Sequence, residues 1–477
     1  MSFGGFPSNL GYHVSKLENY AKQPIKFWSN RGTQTINHGD TIRFSLPKNS
    51  LIDLRSLSMY YKGTAAGTGK DNTATYEYCN RFFPRLSASI IHSLSIYTNG
   101  GQLIQTIDEY GLLYNIFHDI NGGNKDGKTL ENTDPSVTYT MLANGNITTR
   151  KSTAKSVASA PATDDGDKSD TNRQFCINTW LGFLNGTTEF FDTNNAELEI
   201  EIRLAPEYIL WNSAPPAGTI GTTPASYTLN SVYMTCDRVN FHDPLYYNII
   251  SQKLSSTGLE VGFDSYSLHV GSTAANKKID MSFSVNARNL SMLLCTGTIT
   301  TRSSMTTTAN YLELEDSGQA AGKTYDEVIS NLGGTATDHE GIAFNQSKYF
   351  RRTGAGIKSS QIEVNSIATS PWPLEPHEIF NQNLINFNQQ SNMMTQIHKG
   401  CASLNHFMRD YFIHTVSFEH RGSPSDMQVG LDGKASSIDV KWTTTSDGGA
   451  NACIPMVFAV KKEILLIGAG HQTSLLR

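Results

Sequence analysis

A strand–turn–helix pattern occurs twice in this chain, half its length apart, and few folds accommodate such a duplication. The first copy covers residues 89–119. Ile90-Ile91-His92-Ser93-Leu94-Ser95-Ile96-Tyr97-Thr98 alternates apolar and polar residues and is rich in β-branched and aromatic types, which reads as a strand. Asn99-Gly100-Gly101 supplies a turn, because glycine takes positive φ without steric cost. Ile107, Tyr110, Tyr114 and Phe117 then recur at helical spacing, and Asn121-Gly122-Gly123 stops the helix. The second copy begins at Gln361, where Ile362, Val364, Ser366 and Ala368 alternate with Glu363, Asn365 and Ile367. Its turn is proline-rich, Ser370-Pro371-Trp372-Pro373. Pro376 suits the first turn of a helix that carries Ile379, Phe380, Leu384 and Phe387 inward. The copies lie about 270 positions apart, which points to two similar domains and not to a solenoid of short repeats. Identity between them is slight, so a coincidental likeness of two β-rich domains is the alternative.

Length supports the division. One hydrophobic core stops growing near roughly 250–300 residues, and this chain has 477. Only 17% of its residues are charged. The polar remainder is Ser, Thr, Asn and Gly, which suits strands joined by long polar loops better than helices with Lys- and Glu-covered faces. The formal charge is −5, and the basic residues form no cluster beyond the pairs Arg351-Arg352 and Lys461-Lys462. Sequence-independent nucleic-acid binding needs dense positive charge, so no specific nucleic-acid partner is expected. The six cysteines are far apart and form no Cys-x-x-Cys, which reads as mostly buried free thiols made in a reducing compartment. No signal peptide and no apolar run of membrane-spanning length is recognised, so folding in the cytosol or nucleus is expected. The Asn-x-Ser/Thr triplets at Asn146 and Asn185 are read as chance.

Taken in order, residues 1–24 lack periodicity and read as an arm. Thr41 to Leu46 and Leu54 to Tyr61 are strands. Residues 120–172 form a long polar loop, and loops of that length are usually functional or mobile. Strands resume at Phe175-Cys176-Ile177-Asn178 and continue through Phe190-Phe191. Leu198-Glu199-Ile200-Glu201-Ile202-Arg203-Leu204 has the cleanest alternation in the chain. Residues 214–225 are a Pro/Gly/Thr loop, and Val232 to Val239 is a strand. Asp243-Pro244 opens a short helix, with Asp as N-cap and Pro at N1, and with Leu245, Ile249 and Ile250 facing inward. That helix, residues 241–257, divides a first domain at 25–240 from a second at 258–477. In the second, Tyr266 to Val270, Ile279 to Val285, Leu290 to Cys295, Phe412 to Phe418, Ile438 to Trp442, Pro455 to Val460 and Glu463 to Ile467 read as strands. Residues 297–341 are a second long loop, with a short helix near Tyr325 to Ile329.

Motifs for chemistry are few. Gly122 to Thr129 fits the Gly, four residues, Gly-Lys-Thr pattern of a phosphate-binding loop. Here a helix enters it and Asn132-Thr133-Asp134-Pro135 breaks what leaves, so the strand–loop–helix context is missing. Gly67-Thr68-Gly69-Lys70-Asp71 is weaker, because Asp71 would repel phosphate. His398 and His406 are too far apart for a helical metal pair, and His414 and His420 read as surface or internally satisfied histidines. Glu199 and Glu201 share one strand face and could serve as the paired carboxylates of a sandwich-fold glycosidase. A solvated or intersubunit strand face is the plainer reading, since nothing else builds a sugar site. No catalytic, cofactor-binding or metal-ligating residues are assigned, and no cofactor is expected.

The chain resembles the double jelly-roll major capsid proteins of double-stranded DNA viruses, nearest those of polinton-like viruses and virophages. The residues that carry the likeness are Phe83-Pro84-Arg85-Leu86, Ile90 to Tyr97 with Asn99-Gly100, and Tyr110 to Phe117. To these are added Phe175 to Leu184 with Leu198 to Leu204, the Asp243-Pro244 helix, and Gly430-Leu431-Asp432-Gly433 leading into Ile438 to Trp442. The resemblance implies an all-β fold of two tandem eight-stranded jelly-roll sandwiches with a few short helices and long polar loops. It implies a structural protein without enzymatic activity, whose homotrimer is a pseudo-hexameric capsomer tiling an icosahedral shell in the virion. It implies as partners the neighbouring capsomers and the penton and minor capsid proteins. An internal membrane, and a host surface receptor reached through the outer loops, are further candidate partners. The terminal arms, residues 1–23 and 468–477, are candidates to clamp neighbours. The competing class is a carbohydrate-binding or glycoside-active β-sandwich protein.

Overall fold

The computed structural model describes residues 20–66, 81–84, 86–98, 101–121, 140–141, 147–148, 173–185, 190–212, 226–241, 244–256, 258–272, 278–299, 302, 348–354, 356–386, 407–408, 411–419, 430–434, 436–444, 453–468 and 472–476. The first half holds β1 (Tyr20–Trp28), β2 (Thr41–Ser45), β3 (Leu51–Ala66), β4 (Ile91–Thr98), β5 (Gln102–Asp108), β6 (Arg173–Ile177), β7 (Leu198–Leu204) and β8 (Ser226–Phe241). The second holds β9 (Leu259–Val270), β10 (Lys278–Val285), β11 (Leu290–Ile299), β12 (Ile357–Val364), β13 (Ile367–Ala368), β14 (His414–Ser417), β15 (Ser436–Thr444) and β16 (Cys453–Ile467). Helices α1 (Tyr110–Asn121) and α3 (Pro376–Asn386) follow β5 and β13, and α2 (Pro244–Ser256) joins the halves.

In the first half the sheets run β1-β8-β3-β6 and β2-β7-β4-β5. In the second they run β9-β16-β11-β14 and β10-β15-β12-β13. The second order is the first shifted by eight strands. All these pairings are antiparallel. Short strands are added at Ile36–Asn37 and Phe190–Asp192 in the first roll and Thr473–Leu476 in the second, and each half is a sandwich of two Greek-key layers built on four main strands apiece, which is a jelly roll. The duplicated sequence pattern is β4-β5-α1 in one roll and β12-β13-α3 in the other.

Side-chain alternation explains why these segments are strands. In β7, Leu198, Ile200, Ile202 and Leu204 are buried while the residues between them face outward. Its position between β2 and β4 is fixed by pairing Ile200 with both Phe44 and Ile96. The linker helix closes as expected. Gly258 takes φ +80° and donates its backbone N–H to the Lys253 carbonyl at 2.9 Å. Ile250 packs with Leu51 and Val239, tying the helix to the first roll.

Several expectations are corrected. Ile107 belongs to β5 and not to the helix, because Glu109 takes φ 51° and turns the chain sharply from strand to helix. The second copy reverses sooner than its alternation implies. Asn365 and Ser366, at φ 52° and 64°, form a two-residue hairpin between β12 and β13. Such a turn needs both central residues left-handed, and its twist matches that of the strands. Pro455 to Val460 and Glu463 to Ile467 are one continuous strand, β16. The first strand starts at Tyr20, inside the stretch read as an arm. Residues Thr473–Leu476, at the other end, pair back on β16, so this part of the C-terminal segment is used within its own chain. The helix expected near Tyr325, the Pro/Gly/Thr loop at 214–225, Phe387 and most of residues 122–172 lie outside the described residues; a two-residue pairing of Thr140–Met141 with Ile147–Thr148 is what is described there.

The two rolls share one continuous apolar core. They are packed as a single block.

Candidate assembly surfaces

The residues singled out for chemistry do not converge. Gly122 to Thr129, Gly67 to Asp71, His398, His406 and His420 lie outside the described residues. Glu201 is held by Arg43 at 2.6 Å across the β2–β7 pair, so it is part of a strand-face ion pair. His414 is fully buried inside the second roll with its Nδ1 2.7 Å from the Ser360 hydroxyl. Burial lowers its pKa to about 4, which keeps the ring neutral. Cys176, Cys236, Cys295 and Cys453 are free and buried, and burial pushes the Cys236 and Cys453 thiols up to about 12. No group of metal-ligating side chains forms among the described residues.

Buried ion pairs and aromatic contacts also bridge the two rolls where they meet. On the first-roll side stand β5, α1 and the 3-10 turn Gly182–Asn185; on the other stands β9. Phe183 meets Phe263 edge-on at 5.1 Å, and Phe117 meets Tyr266 at 5.7 Å. Gln105 donates from Nε2 to the Asp264 carbonyl at 3.1 Å and accepts the Phe183 N–H at 2.8 Å, so one buried amide ties three segments. Burial, then the nearby Asp264 and Tyr110, push the Tyr266 phenol up.

Two buried guanidinium groups of the second roll reach carboxylates at the two ends of α1. Arg302 pairs with Glu109, and Tyr349 accepts from the same guanidinium at 3.3 Å while its ring lies 4.4 Å away. Arg352 pairs with Asp119 at 2.8 Å. The partners are 193 and 233 positions apart, and no local pattern announces them. Arg351-Arg352 was visible only as a basic pair. Glu109 is fixed by its left-handed backbone, and its carbonyl starts α1 by accepting the Leu113 N–H at 3.0 Å. Gly111 is needed for the close approach: a Cβ there would sit 2.9 Å from the Ser89 carbonyl and 3.2 Å from the Phe350 ring.

As a result α1 is buried from Tyr110 through Ile116 on every side. Its equivalent, α3, is buried only along the stripe of Ile379 and Asn383. The amide of Asn383 donates to the Ile413 carbonyl at 2.7 Å and accepts the Thr415 N–H at 3.0 Å, sealing the free edge of β14. The sheets show the same contrast. In β16, Pro455 through Val460 are all buried, as in a strand covered on both faces. In β8, residues from Tyr227 to Val239 largely alternate, with Val232, Met234 and Cys236 inward and Tyr233 and Thr235 outward.

No protein-family model matches this sequence, and no curated protein matches it significantly. Solved structures do match. The Sputnik virophage structure solved by cryo-EM aligns over 100% of this chain and 89% of its own at a TM-score of 0.56 and 11% identity. PBCV-1 VP54, fitted into a reconstruction of the virophage Sputnik, aligns over 96% and 97% at 0.54 and 9% identity. The quasi-atomic model of the PBCV-1 virus capsid aligns over 96% and 97% at 0.53 and 10% identity. The match runs the length of both rolls.

The chain is a double jelly roll. In this double jelly roll Leu103, Val270, Ile464 and Leu476 are exposed at scattered positions, and the other exposed large apolar side chains fall on two flanks. One is the outer face of the β1-β8-β3 sheet, where Trp28 (43% exposed) contacts Tyr233 at 5.3 Å and Tyr233 stacks on Tyr60 at 5.2 Å. Lys26 extends over Tyr233 and Trp28, 3.6 and 4.3 Å from the ring centres. The other is the α3 side of the second roll, with Ile367 (73%), Trp372 (55%) and Ile385 (43%). There Glu378 accepts the Glu375 N–H at 2.8 Å and the Trp372 indole N–H at 3.3 Å, a capping-box half that also holds the tryptophan out.

Proposed function

We propose that this double jelly roll is a viral major capsid protein whose homotrimer is a pseudo-hexameric capsomer of an icosahedral shell. The observation that carries this reading is the pair of rolls with one strand order, fused through a shared core into a block with two lobes. Three such blocks present six lobes, a shape that tiles a plane. A three-fold contact is heterologous, one patch meeting a different patch until rotation closes the ring. A contact of that obligate kind typically buries more than about 2,000 Å² with an apolar centre, and the two bare flanks supply apolar material on different faces of the block. In this reading residues 25–240 and 258–477 are the two domains, residues 241–257 their linker, and the role is structural and not catalytic. The partners are two further copies, the neighbouring capsomers, and penton and minor capsid proteins. The location is the virion shell.

Light scattering coupled to size-exclusion chromatography tests the reading. A trimer that survives mild heating, and shows six lobes by electron microscopy, is expected. A monomer that retains a glycan ligand would replace it with the carbohydrate-binding alternative.

A further inference from the structure

Strand β14 is the edge of its sheet, held to β11 by four residue pairs that run from His414 with Cys295 to Ser417 with Met292. Among the described residues no strand lies on its other side, and side chains of α3 stand in for one. Asn383 grips the residues on both sides of His414. Its amide donates to the Ile413 carbonyl at 2.7 Å, and its oxygen accepts the Thr415 N–H at 3.0 Å and the Thr415 hydroxyl at 2.8 Å. Asn386 donates to the Thr415 carbonyl at 2.7 Å. Between these gripped residues the His414 ring is fully buried. Its Nδ1 meets the Ser360 hydroxyl of β12, and its Nε2 has no hydrogen-bond partner. A neutral ring leaves one nitrogen unserved. A protonated ring carries a charge and donates from both nitrogens, and a buried charge without a partner costs far more. Among the described residues no charged group faces the ring to offset that cost. Its neighbour on β11 is the Cys295 thiol, which burial keeps protonated. Glu363 of β12 pairs with Lys441 of β15, and Arg352, beside Phe412, pairs with Asp119. Glu419, past the end of β14, pairs with Lys462, and the ionisable groups of α3, His377 and Glu378, stand in its first turn.

We infer that β14 and α3 form an acid-released edge of the second roll: a proton on His414 expels β14 from its sheet and frees α3 with it, while the first roll stays closed. The ring reaches water only if β14 leaves β11, and that movement pulls Ile413 and Thr415 out of the grip of Asn383 and Asn386. Helix α3 then loses its seat, and a helix of eleven residues without tertiary support is marginal in water. The first roll lacks the trigger. By strand order the counterpart of β14 is β6, which holds no histidine. The amide of Asn115 on α1 bonds the Ser89 hydroxyl and the Gly111 carbonyl, and no strand edge hangs from it. With His414 near 4 in the closed edge and at its ordinary 6.5 in the open one, opening becomes about 20-fold more favourable from pH 7 to pH 5. The inference needs nothing from the capsomer reading; in a capsomer it gives the flank that carries Trp372 an acid-loosened state.

Hydrogen exchange of the full chain, read by mass spectrometry at pH 7 and pH 5 and corrected for the intrinsic pH dependence of exchange, tests it. In the unaltered chain the opening of residues 413–417 and 376–386 should rise about 20-fold at the lower pH, while β16, β6 and α1 keep their protection. His414→Asn, whose amide replaces Nδ1 toward Ser360 and takes no proton, should hold the edge closed at both values. His269, whose pKa is also lowered, by burial and then by Lys461, is present in both chains and cancels in the comparison. No rise in the unaltered chain, an equal rise in His414→Asn, or a rise shared by β16 and β6 overturns the inference, the last because it reports unfolding of the whole block. If His414→Asn does not fold, Asn383→Ala carries the test. It keeps the histidine and loosens the grip, so the same edge should open more often at pH 7 and still gain about 20-fold at pH 5. Protection of residues 413–417 equal to that of the unaltered chain overturns the role of α3 as the holder of the edge.

Discussion

Helices α1 and α3 occupy the same place in their rolls, each following the β4-β5 or β12-β13 pair, yet they live in different solvents. Tyr110 through Ile116 are all buried in α1, while α3 buries Ile379 and Asn383 and leaves Ile385 exposed. The lesson concerns pattern and context. A helix packed on one side needs one apolar stripe; a helix enclosed between two sandwiches needs apolar residues all round. The difference is written into Tyr110-Gly111-Leu112-Leu113-Tyr114-Asn115-Ile116 against Pro376-His377-Glu378-Ile379-Phe380-Asn381-Gln382. It marks the first as an internal joint and the second as a flank of the block.

The joint should be far more sensitive than the flank. Arg352 is 1% exposed and Asp119 is its partner. Replacing one member of a buried pair strands the other charge, at a cost of about 3–5 kcal/mol. Arg352→Met should therefore lower stability to urea by that order. If the joint couples the rolls, unfolding should also split into two transitions. A single unshifted transition would show that the ion pair does not hold the rolls together.

Acid should act on the second roll. Burial holds the His414 pKa at about 4, below its ordinary 6.5, so the unfolded chain binds a proton in this window that the folded chain refuses. The neutral form's contribution to stability is complete above pH 6.5 and is lost as pH falls toward 4. The whole interval corresponds to roughly 3 kcal/mol. Denaturant midpoints measured between pH 7 and pH 4 should show this loss, and His414→Asn should flatten it. An identical slope in the variant would assign the acid sensitivity to other groups.

The edge seal of β14 is worth less. Asn383→Ala removes the amide that serves the Ile413 carbonyl and the Thr415 N–H, leaving buried polar groups unpaired. The expected loss is about 1–3 kcal/mol. Asn381→Ala, two residues earlier and exposed, is the control and should stay within about 0.5 kcal/mol. Equal effects at the two positions would mean the seal adds nothing.

Much of the fold was legible because it is local. The alternation of Leu198 to Leu204, the apolar run Leu290 to Cys295, Pro376 at a helix start and Gly258 beyond a helix end each act over a few residues, and each is observed where it was read. The misreadings fall where backbone conformation departs from what the side chain favours. Glu109, Asn365 and Ser366 are left-handed without being glycine, and they decide where β5 ends and where β12 turns. The joint was illegible for another reason. Asp119 and Arg352 are 233 positions apart, and only the packing of two finished sandwiches brings them together. Asn383 gave no signal either, since an amide on a helix is ordinary until a strand edge faces it. The flanks were legible only in outline: Trp28 follows Phe27 and Trp372 stands between two prolines, and their exposure requires knowing which face each sheet turns outward.

The smallest effect on folding should come from the flank itself, and it separates folding from assembly. Ile385 is exposed, so Ile385→Ser removes little from the buried core and should change the stability of the monomeric fold by no more than about 0.5 kcal/mol. Phe117→Ser on α1, whose ring meets Tyr266, should cost several times more, because there the apolar surface is already enclosed within one chain. The order reverses for association. Ile385→Ser should raise the concentration at which trimers dissociate, whereas a Phe117→Ser chain that still folds should associate as before, because its lesion lies inside the block. Light scattering across a dilution series reads one quantity and denaturant unfolding the other. If both variants weakened folding and left association untouched, α3 would be an ordinary surface helix and the contrast with α1 would end at packing.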